Sequence, residues 1–416
     1  MRVLIWHGYL LSGTGSNEYT RALARTLSHQ GHEVVVLSQD PYPDAHDLGT
    51  ATVVRPELPG RLPVFVLDHY AQATPALVPT MSRAELDEYV AAQSSAIQQV
   101  GPADLLITNH VLLGGPVGAA SGLPYVVKAH GSELEYAMRG HRDLCIWARQ
   151  TLEPAQDVVV GSVHVADVLA DLVGPVPTRV VTPGVDVGQM APAPRDRAWD
   201  RLIEESRRDE PNPGDERLPD PGNAGRLTAF MAGGARPTVV YVGKLSEQKG
   251  VHLLLQAMQG MDARVVIVGF GPARAELEGL ASTLGLDALF TGPLQHRHLA
   301  HLWAAADVSV VPSVFPEAFG MVAAEAAATG CPPLVARHSG LAEVADGIGQ
   351  YLPPHLRACL TFERGDAVDL RRALSQVLDL SREDRAVLSA GCREAVAALW
   401  SWDSVASRML ESAAVA

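Results

Sequence analysis

Short apolar runs alternate with longer stretches of helical periodicity along most of this chain. The runs are rich in Val, Ile and Leu without polar alternation, which is typical of strands buried on both faces of a parallel sheet. We predict such strands in the first half at residues 3–6, 34–37, 105–108, 125–127, 158–160 and 179–182, and in the second half at residues 238–242, 264–268, 288–291, 308–311 and 333–336. Strands that alternate with helices form β-α-β units, so the fold class is predicted as α/β, with one doubly wound parallel sheet in each half.

Residues 187–236 interrupt this pattern. They include Asp-Glu-Pro-Asn-Pro-Gly-Asp-Glu at 209–216 and Pro-Asp-Pro-Gly at 219–222, which disfavour helix and sheet. We interpret the segment as a linker with an insertion, in which residues 209–222 add little to either core. Trp199, Leu202 and Ile203 are spaced as on one helix face, which indicates either a short amphipathic helix or, as we favour, a mobile solvated segment.

Composition agrees with two globular domains and disfavours several function classes. The chain has 416 residues, 47% hydrophobic and 19% charged, so it is too long for one typical core and too apolar for general disorder. Its formal net charge of −14 disfavours nucleic acid and anionic lipid as partners. Four cysteines without a Cys-x-x-Cys pair indicate neither zinc nor disulfides, and no apolar run predicts a signal peptide or membrane span. We therefore expect a cytoplasmic location.

Lysine is rare in this sequence. Of the 33 basic residues only Lys128, Lys244 and Lys249 are lysines, and the rest are arginines. Together with abundant Ala, Gly and Pro, this bias is typical of a GC-rich bacterial genome. A lysine that persists against the bias is a candidate for a chemical role, with chance retention as the alternative.

The loop after the first strand is a candidate anion site. Residues 12–17 read Ser-Gly-Thr-Gly-Ser-Asn, but Gly8, Gly13 and Gly15 lack the G-x-G-x-x-G spacing, which disfavours a dehydrogenase. Small residues here still leave backbone N–H groups open to an anion at the start of the helix predicted over residues 18–30. Gly15 is therefore a candidate ligand-binding residue.

Two lysines flank one short loop in the second half. Lys244 follows the strand at 238–242, and Lys249 opens the next helix beside Gly250. Because ligands of open parallel sheets bind beyond the carboxyl ends of strands, both ammonium groups can converge on one diphosphate there.

Two glutamates lie around a later helix start. Glu317 precedes the helix predicted over residues 322–329, and Glu325 lies inside it among small apolar residues. Carboxylates accept hydrogen bonds from vicinal hydroxyls, so one glutamate can hold a ribose and the other a sugar ring. Helix-start amides of the residues Gly320, Met321 and Val322 can face phosphate or sugar oxygens. A solvated helix face is the alternative for Glu325.

Three further histidine groups carry weaker signals. His296, His298 and His301 lie close together in the sequence, as metal ligands often do. No acidic residue or cysteine accompanies them, so we predict no metal site. Asn109-His110 and Arg337-His338 also follow predicted strands and can line a polar crevice, without an assigned role.

Taken together, these motifs resemble the retaining glycosyltransferases of family 4. The resemblance is carried by Gly243-Lys244-Leu245 with Lys249-Gly250, Val268-Gly269-Phe270-Gly271-Pro272, Val311-Pro312-Ser313, the E-x7-E pair Glu317 and Glu325, Gly340-Leu341-Ala342-Glu343-Val344, His130-Gly131-Ser132, Pro183-Gly184-Val185-Asp186 and Trp400-Ser401-Trp402. It covers nearly the whole chain except the insertion. This chain departs from the family in its lysine at 244, where arginine is usual, in Thr182, where asparagine is common, and in the long insertion.

The resemblance implies a GT-B architecture of two Rossmann-like domains facing across a cleft. It implies an acceptor-side domain over residues 1–186, the linker over 187–236, a nucleotide-sugar-binding domain over 237–395, and a C-terminal helix over 396–416 that crosses back to the first domain. His130 and Glu317 are then catalytic, at the reaction centre and on the transferred sugar. The implied donor-binding residues are Gly15, Lys244, Lys249, Gly320, Met321, Val322 and Glu325.

The implied reaction moves a hexosyl or N-acetylhexosaminyl group with retention from a nucleotide diphosphate sugar, with UDP favoured, to a hydroxyl. The acceptor would be a small molecule, a glycan or a lipid-linked sugar, and no metal or other cofactor is expected. Two alternatives are a nucleotide-sugar epimerase of the same fold, which consumes donor without acceptor, and a non-catalytic module that binds nucleotide sugar.

Overall fold

The computed structural model describes residues 1–11, 13–67, 70, 72–209, 212–234 and 236–411. They form two compact units, Met1–Gly184 with the chain from Trp402 onward, and Val185–Ser401. The predicted boundary at residue 186 and the predicted separate linker differ from this division, because residues 187–236 belong to the second unit. Among the described residues, no helix is both long enough and apolar enough to cross a membrane.

A parallel sheet organises the first unit. The strands of this unit are β1 Arg2–Trp6, β2 Glu33–Leu37, β3 Thr52–Val54, β4 Leu62–Val64, β5 Pro75–Leu77, β6 Leu105–Asn109, β7 Tyr125–Lys128, β8 Asp157–Val160 and β9 Arg179–Val180. Its helices include α1 Gly15–His29, α2 Arg83–Val100, α3 Val111–Ser121, α4 Arg142–Leu152 and α5 Val163–Val173. The sheet order is β3-β2-β1-β6-β7-β8-β9, and β4 pairs with β5 separately.

A second parallel sheet organises the second unit. Its strands are β10 Thr238–Val242, β11 Arg264–Val268, β12 Ala288–Phe290, β13 Val308–Val311, β14 Pro333–Ala336 and β15 Thr361–Phe362. Its helices include α6 Arg195–Ser206, α7 Asn223–Ala232, α8 Val251–Met258, α9 Arg274–Thr283, α10 His296–Ala305, α11 Met321–Ala328, α12 Ser339–Gly349, α13 Pro354–Arg357, α14 Ala367–Leu378 and α15 Arg382–Leu399. The strand order is β12-β11-β10-β13-β14-β15, which is that of a doubly wound sheet.

The α/β prediction is confirmed. Every predicted strand is present with bounds within two residues, because continuous apolar runs mark strands that helices cover on both faces. Prediction missed β3, β4, β5 and β15. These strands have two or three residues each, too few for a periodic signal.

The interpretation of the insertion as a mobile segment is wrong. Trp199 and Leu202 lie on α6 with exposures of 4% and 0%, and α6 packs against α10. Asp220 lies near the end of residues 209–222 and contacts Arg274 at 2.8 Å, so that stretch is also fixed to the second unit. Residues 213–218 between these contacts are exposed.

The last helix of the described residues, α16 Trp402–Leu410, belongs to the first unit. Val405, Ala406 and Met409 are buried in the same apolar cluster as Leu23 and Leu27 of α1. The helix predicted over residues 396–416 therefore begins at Trp402, because residues up to Leu399 continue α15 in the second unit.

Candidate active site

In the second unit, the strand order reverses between β10 and β13, which is the switch point of this sheet. Ligands of open parallel sheets bind at such a point. The loops that follow β10, β11 and β13 approach one another closely there. A Cβ atom on Gly250, which has φ +67°, would lie 2.0 Å from the carbonyl oxygen of Pro312, and one on Gly269 would lie 1.8 Å from that of Gly243. Glycine at these positions therefore brings the loops into contact.

Lys249 and Glu317 come from two of these loops and form an ion pair. The Nζ atom of Lys249 lies 2.5 Å from Oε1 of Glu317, and the side chains remain 34% and 22% exposed. The carbonyl of Gln248 accepts the backbone N–H of Val314 at 2.9 Å, which fixes one loop to the other. An ammonium group and a carboxylate thus stand side by side at the switch point.

A hydrogen-bonded chain that sequence reasoning missed holds Glu317 in place. Nε2 of His338 lies 2.7 Å from the carbonyl oxygen of Ser313, so Nε2 carries a proton and Nδ1 is an acceptor. The Ser339 hydroxyl lies 3.0 Å from Nδ1 and accepts the backbone N–H of Glu317 at 2.9 Å. Ser339 has φ +47°, a strained value for a residue with a Cβ atom. The only sequence signal was a polar pair, Arg337-His338, after a strand.

The start of α11 lies next to this loop in the chain. Gly320 precedes the helix with φ +110°, and a Cβ atom there would lie 2.7 Å from Cδ2 of Leu341. Met321 and Val322 supply the first helical N–H groups, which have no acceptor inside a helix. This end of α11 can therefore bind an anion. The role of Gly320, Met321 and Val322 in binding the sugar donor stays a prediction.

Glu325 lies in the second turn of α11 and pairs with a histidine. Its Oε1 atom is 2.9 Å from Nε2 of His296 at the start of α10, with the carboxylate side chain 13% exposed. Nδ1 of His296 lies 3.3 Å from Oε1 of Gln189. Glu325 is thus held among polar groups, unlike a carboxylate on a freely solvated helix face.

Lys244 is exposed at the carboxyl end of β10. Its carbonyl oxygen accepts the Tyr241 hydroxyl at 2.9 Å, which orders the backbone. Within the described ranges, no carboxylate pairs with its ammonium group. The structure therefore brings Lys249, but not Lys244, into contact with Glu317.

His130 lies in the first unit, in the loop that follows β7. Its Nε2 atom is 2.6 Å from Oδ1 of Asn109 at the end of β6, and its backbone N–H donates to Oε1 of Glu133 at 2.9 Å. Oε2 of Glu133, which is fully buried, lies 3.2 Å from Nδ1 of His110. Strand order makes β6 and β7 neighbours, so their ends meet. Sequence reasoning left Asn109 and Glu133 without roles.

Two pKa shifts define the charges around His130. Burial lowers the pKa of His130 well below its usual range, and His110, Lys128 and His7 lower it further. Burial alone would raise the pKa of Glu133, but His110 and the backbone N–H of His130 outweigh it and the pKa falls below its usual range. At neutral pH, His130 is therefore uncharged and Glu133 ionised.

Gly15 is the first residue of α1, and Thr14 precedes the helix. A Cβ atom on Gly15 would meet nothing within 4 Å, so the position is open. The helix begins three residues before its predicted start at residue 18. Ser12 of the predicted loop lies outside the described residues. The role of Gly15 in ligand binding stays a prediction.

The three histidines at 296, 298 and 301 do not converge. His296 pairs with Glu325, whereas Nε2 of the buried His298 lies 3.3 Å from Oδ1 of Asp209. His296 and His298 thus each lie beside a carboxylate that is distant in the sequence. Across the part of the chain that the structure describes, no group of three or more His, Cys, Asp or Glu side chains has the arrangement to hold a metal ion.

Comparison with known proteins defines the class of this fold. Two solved structures share it over 99% of this chain: HepE from Anabaena in complex with UDP and glucose, at TM-score 0.69, 17% identity and 99% of that chain, and sucrose-phosphate synthase from Thermosynechococcus elongatus, at TM-score 0.64, 23% identity and 97% of that chain. The fold is the GT-B type of glycosyltransferases.

Family models and sequence relatives are consistent with this class. The model described as Glycosyltransferase Family 4 matches residues 13–189, and that described as Glycosyl transferases group 1 matches residues 232–390. A D-inositol 3-phosphate glycosyltransferase of Nocardioides sp. is 29% identical over 95% of this chain and 84% of its own length. This chain is a glycosyltransferase, and it is similar to the glycosyltransferases of family 4 over most of its length.

Two other relatives match over shorter stretches. The sulfoquinovosyl transferase SQD2 of Arabidopsis thaliana is 33% identical over 38% of this chain and 30% of its own length. The GDP-mannose-dependent alpha-(1-6)-phosphatidylinositol dimannoside mannosyltransferase of Mycobacterium tuberculosis is 42% identical over 26% of this chain and 30% of its own length. The matched part thus spans about a third of each of these two proteins.

Proposed function

We propose that this glycosyltransferase moves a hexosyl or N-acetylhexosaminyl group, with retention of anomeric configuration, from a nucleotide diphosphate sugar to a hydroxyl of a small molecule or glycan. The observation that carries the proposal is the Lys249–Glu317 pair, 2.5 Å apart at the switch point of the second sheet. An ammonium group attracts the diphosphate, while a neighbouring carboxylate accepts hydrogen bonds from sugar hydroxyls.

Electrostatic stabilisation is the proposed source of catalysis. Lys249, the exposed Lys244 and the first N–H groups of α11 stabilise negative charge on the departing diphosphate. Positive charge develops on the sugar ring as the glycosidic bond to the diphosphate breaks. The acceptor hydroxyl forms the new bond to the anomeric carbon, and a diphosphate oxygen takes its proton, so this step uses no enzymic nucleophile. The proposal includes no metal ion, because the two lysines and the helix N–H groups supply the positive charge.

Two further residue roles belong to the proposal. Glu325 is proposed to hold the ribose, and His130 to contact the transferred sugar or the acceptor hydroxyl. UDP is the favoured nucleotide, since HepE was solved with UDP, whereas the Mycobacterium relative is named for GDP-mannose. The relative named for D-inositol 3-phosphate supports a small hydroxylated acceptor.

A two-stage experiment tests this function. Thermal shift with UDP, GDP and ADP sugars identifies the donor, because a ligand at about 100 times its Kd adds about 2.7 kcal/mol of stability. NMR of the product formed from that donor then reports the anomeric configuration. Inverted product would refute retention. Donor consumption without any acceptor would favour the epimerase, and donor binding without turnover in acceptor mixtures would favour the binding module.

A further inference from the structure

His130 is held by an amide whose orientation the structure determines. Asn109 lies at the end of β6, between β1 and β7 in the sheet order. Its Oδ1 atom is 2.6 Å from Nε2 of His130, and its Nδ2 atom is 3.3 Å from the carbonyl oxygen of Trp6. Three adjacent strand ends therefore meet at one side chain.

The carbonyl of Trp6 fixes which way this amide points. A backbone carbonyl oxygen only accepts hydrogen bonds, so the group of Asn109 that faces it must be the NH₂. Thr20 gives a second constraint, since its hydroxyl donates to the carbonyl of Ser16 at 2.8 Å and its oxygen accepts from Nδ2 of Asn109 at 3.3 Å. Rotating the amide would place oxygen against oxygen at both contacts.

The tautomer of His130 follows from this orientation. The amide oxygen of Asn109 only accepts, so Nε2 of His130 must carry the proton. In the neutral ring, Nδ1 then holds a lone pair, and no described residue hydrogen-bonds to it. The backbone N–H of His130 is tied to Glu133, which limits movement of the loop.

We propose that Asn109 is a positioning residue that holds His130 as its neutral Nε2-protonated tautomer and so presents Nδ1 as a hydrogen-bond acceptor for a hydroxyl of the transferred sugar or the acceptor. The role toward a sugar hydroxyl rests on the proposed function, whereas the tautomer itself does not. A ring in the opposite tautomer, or an imidazolium, would offer a donor at Nδ1 instead and would not accept a hydroxyl proton.

The groups that face His130 favour the uncharged ring. His110 lies 4.8 Å and Tyr19 5.2 Å from it between ring centroids, and Lys128 and His7 are the other basic groups nearby. Glu133 is the facing carboxylate, but it bonds to the backbone of His130 and to the ring of His110. Burial and the three basic neighbours hold the pKa of His130 low, so the neutral ring persists at physiological pH.

Nitrogen-15 NMR tests the tautomer without any activity measurement. The full-length protein is labelled at histidine, and the His130 signals are identified as those lost in His130→Gln. We expect the Nε2-protonated pattern from about pH 6 to about pH 8. Asn109→Leu removes the acceptor and should raise the Nδ1-protonated fraction. An Nδ1-protonated or doubly protonated ring in the parent protein would overturn the proposal.

A pH profile tests whether the tautomer matters for transfer. In Asn109→Asp, a carboxylate replaces the amide and favours the imidazolium, so the pKa of His130 should rise. Its kcat should therefore fall about tenfold or more as pH drops from about 8 to about 6 and recover at higher pH, while the parent protein shows no such limb over this range. A flat profile in a folded Asn109→Asp would overturn the role in transfer.

Controls separate folding and the proposed function from this inference. Thr108→Val removes a neighbouring buried hydroxyl that bonds to the carbonyl of Val126, and it should leave kcat and its pH profile unchanged. If Asn109→Asp does not fold, the NMR pattern of the parent protein and of Asn109→Leu decides the matter. A parent protein that transfers no sugar but shows the predicted tautomer would refute the proposed function alone.

Discussion

The ammonium group of Lys249 is already occupied by the carboxylate of Glu317, with Nζ 2.5 Å from Oε1. A diphosphate that binds Lys249 must therefore compete with this carboxylate or share the ammonium with it. Lysine has three N–H donors and can bond to both groups at once. If Lys249 binds the diphosphate as proposed, the pair links phosphate binding to the position of the glutamate that we assign to the transferred sugar.

Neutralising Glu317 should have opposite effects on binding and on turnover. Glu317→Gln removes the competing charge, so we expect the affinity for UDP or GDP alone to rise by about threefold to tenfold, while transfer falls because the sugar loses a carboxylate partner. Lys249→Met should weaken nucleotide binding. Calorimetry of both single variants and the double variant measures the coupling. Nucleotide affinity that is equal in all four proteins would contradict it.

The two lysines should differ in their tolerance of arginine. Lys244 is exposed and has room for a guanidinium group, so Lys244→Arg should keep most activity. Lys249 contacts Glu317 within tightly apposed loops, so Lys249→Arg should lose about one to two decades of kcat/KM. Steady-state kinetics measures both. Equal losses in the two arginine variants would show that the surroundings of the lysines do not matter.

Glu325 should act on nucleotide binding more than on folding. Glu325→Gln removes a charged acceptor worth about 1.5 to 3 kcal/mol when it bonds to hydroxyls, so nucleotide affinity should fall about tenfold to a hundredfold. His296→Gln removes the neighbouring ring, 49% exposed, and should change affinity less. Calorimetry with the free nucleotide compares the two variants. A larger loss in His296→Gln would reassign the nucleotide contact to the histidine.

Asp220 should stabilise the second unit through the end of the insertion. Its carboxylate binds Arg274 at 2.8 and 2.5 Å, and its backbone N–H donates to the carbonyl of Thr291. Burial raises the pKa of Asp220, but Arg274 and Arg226 outweigh it and lower the pKa. This stabilisation is therefore present at neutral pH and is lost as pH falls through the lowered pKa.

Thermal unfolding measures this contribution. Asp220→Asn should lower Tm at pH 7 by several degrees, corresponding to about 1 to 3 kcal/mol, and the difference from the parent protein should shrink below about pH 4. Asp215→Asn, in the exposed part of the insertion, is the matched control and should leave Tm unchanged. Excision of residues 213–218 should also preserve folding. If Asp220→Asn matched Asp215→Asn at pH 7, the insertion would not be anchored at Asp220.

Lys128 should cost stability near neutral pH. Its side chain is 1% exposed, its Nζ donates to the carbonyl of Val181 at 2.7 Å, and burial lowers its pKa to about 7. Between this value and the unfolded pKa near about 10.4, the unfolded chain binds more protons, so stability from this group rises with pH. Lys128→Met should therefore stabilise the protein at pH 7 more than at pH 10, as chemical denaturation can measure. A gain that is constant with pH would contradict the lowered pKa.

The sequence alone determined the fold class and the main strands, because apolar runs that helices cover on both faces leave a direct record in the order of residues. It also located Lys249 and Glu317 in loops beyond strand ends, and Glu325 in the helix that follows, since the carboxyl edge of a parallel sheet is where polar loops collect. These inferences need only local pattern and the general geometry of β-α-β units.

Tertiary structure alone decided which side chains meet. Glu317 and Lys249 are 68 positions apart, and the chain from Ser313 through His338 and Ser339 that orders Glu317 comes from different loops. The amide of Asn109 acquires its orientation only because strand order sets the carbonyl of Trp6 beside it. Likewise, α6 is fixed by its packing on α10, whereas its polar sequence indicated a solvated segment. Hydrogen bonding and packing between distant segments depend on strand order and loop approach, which local sequence periodicity does not encode.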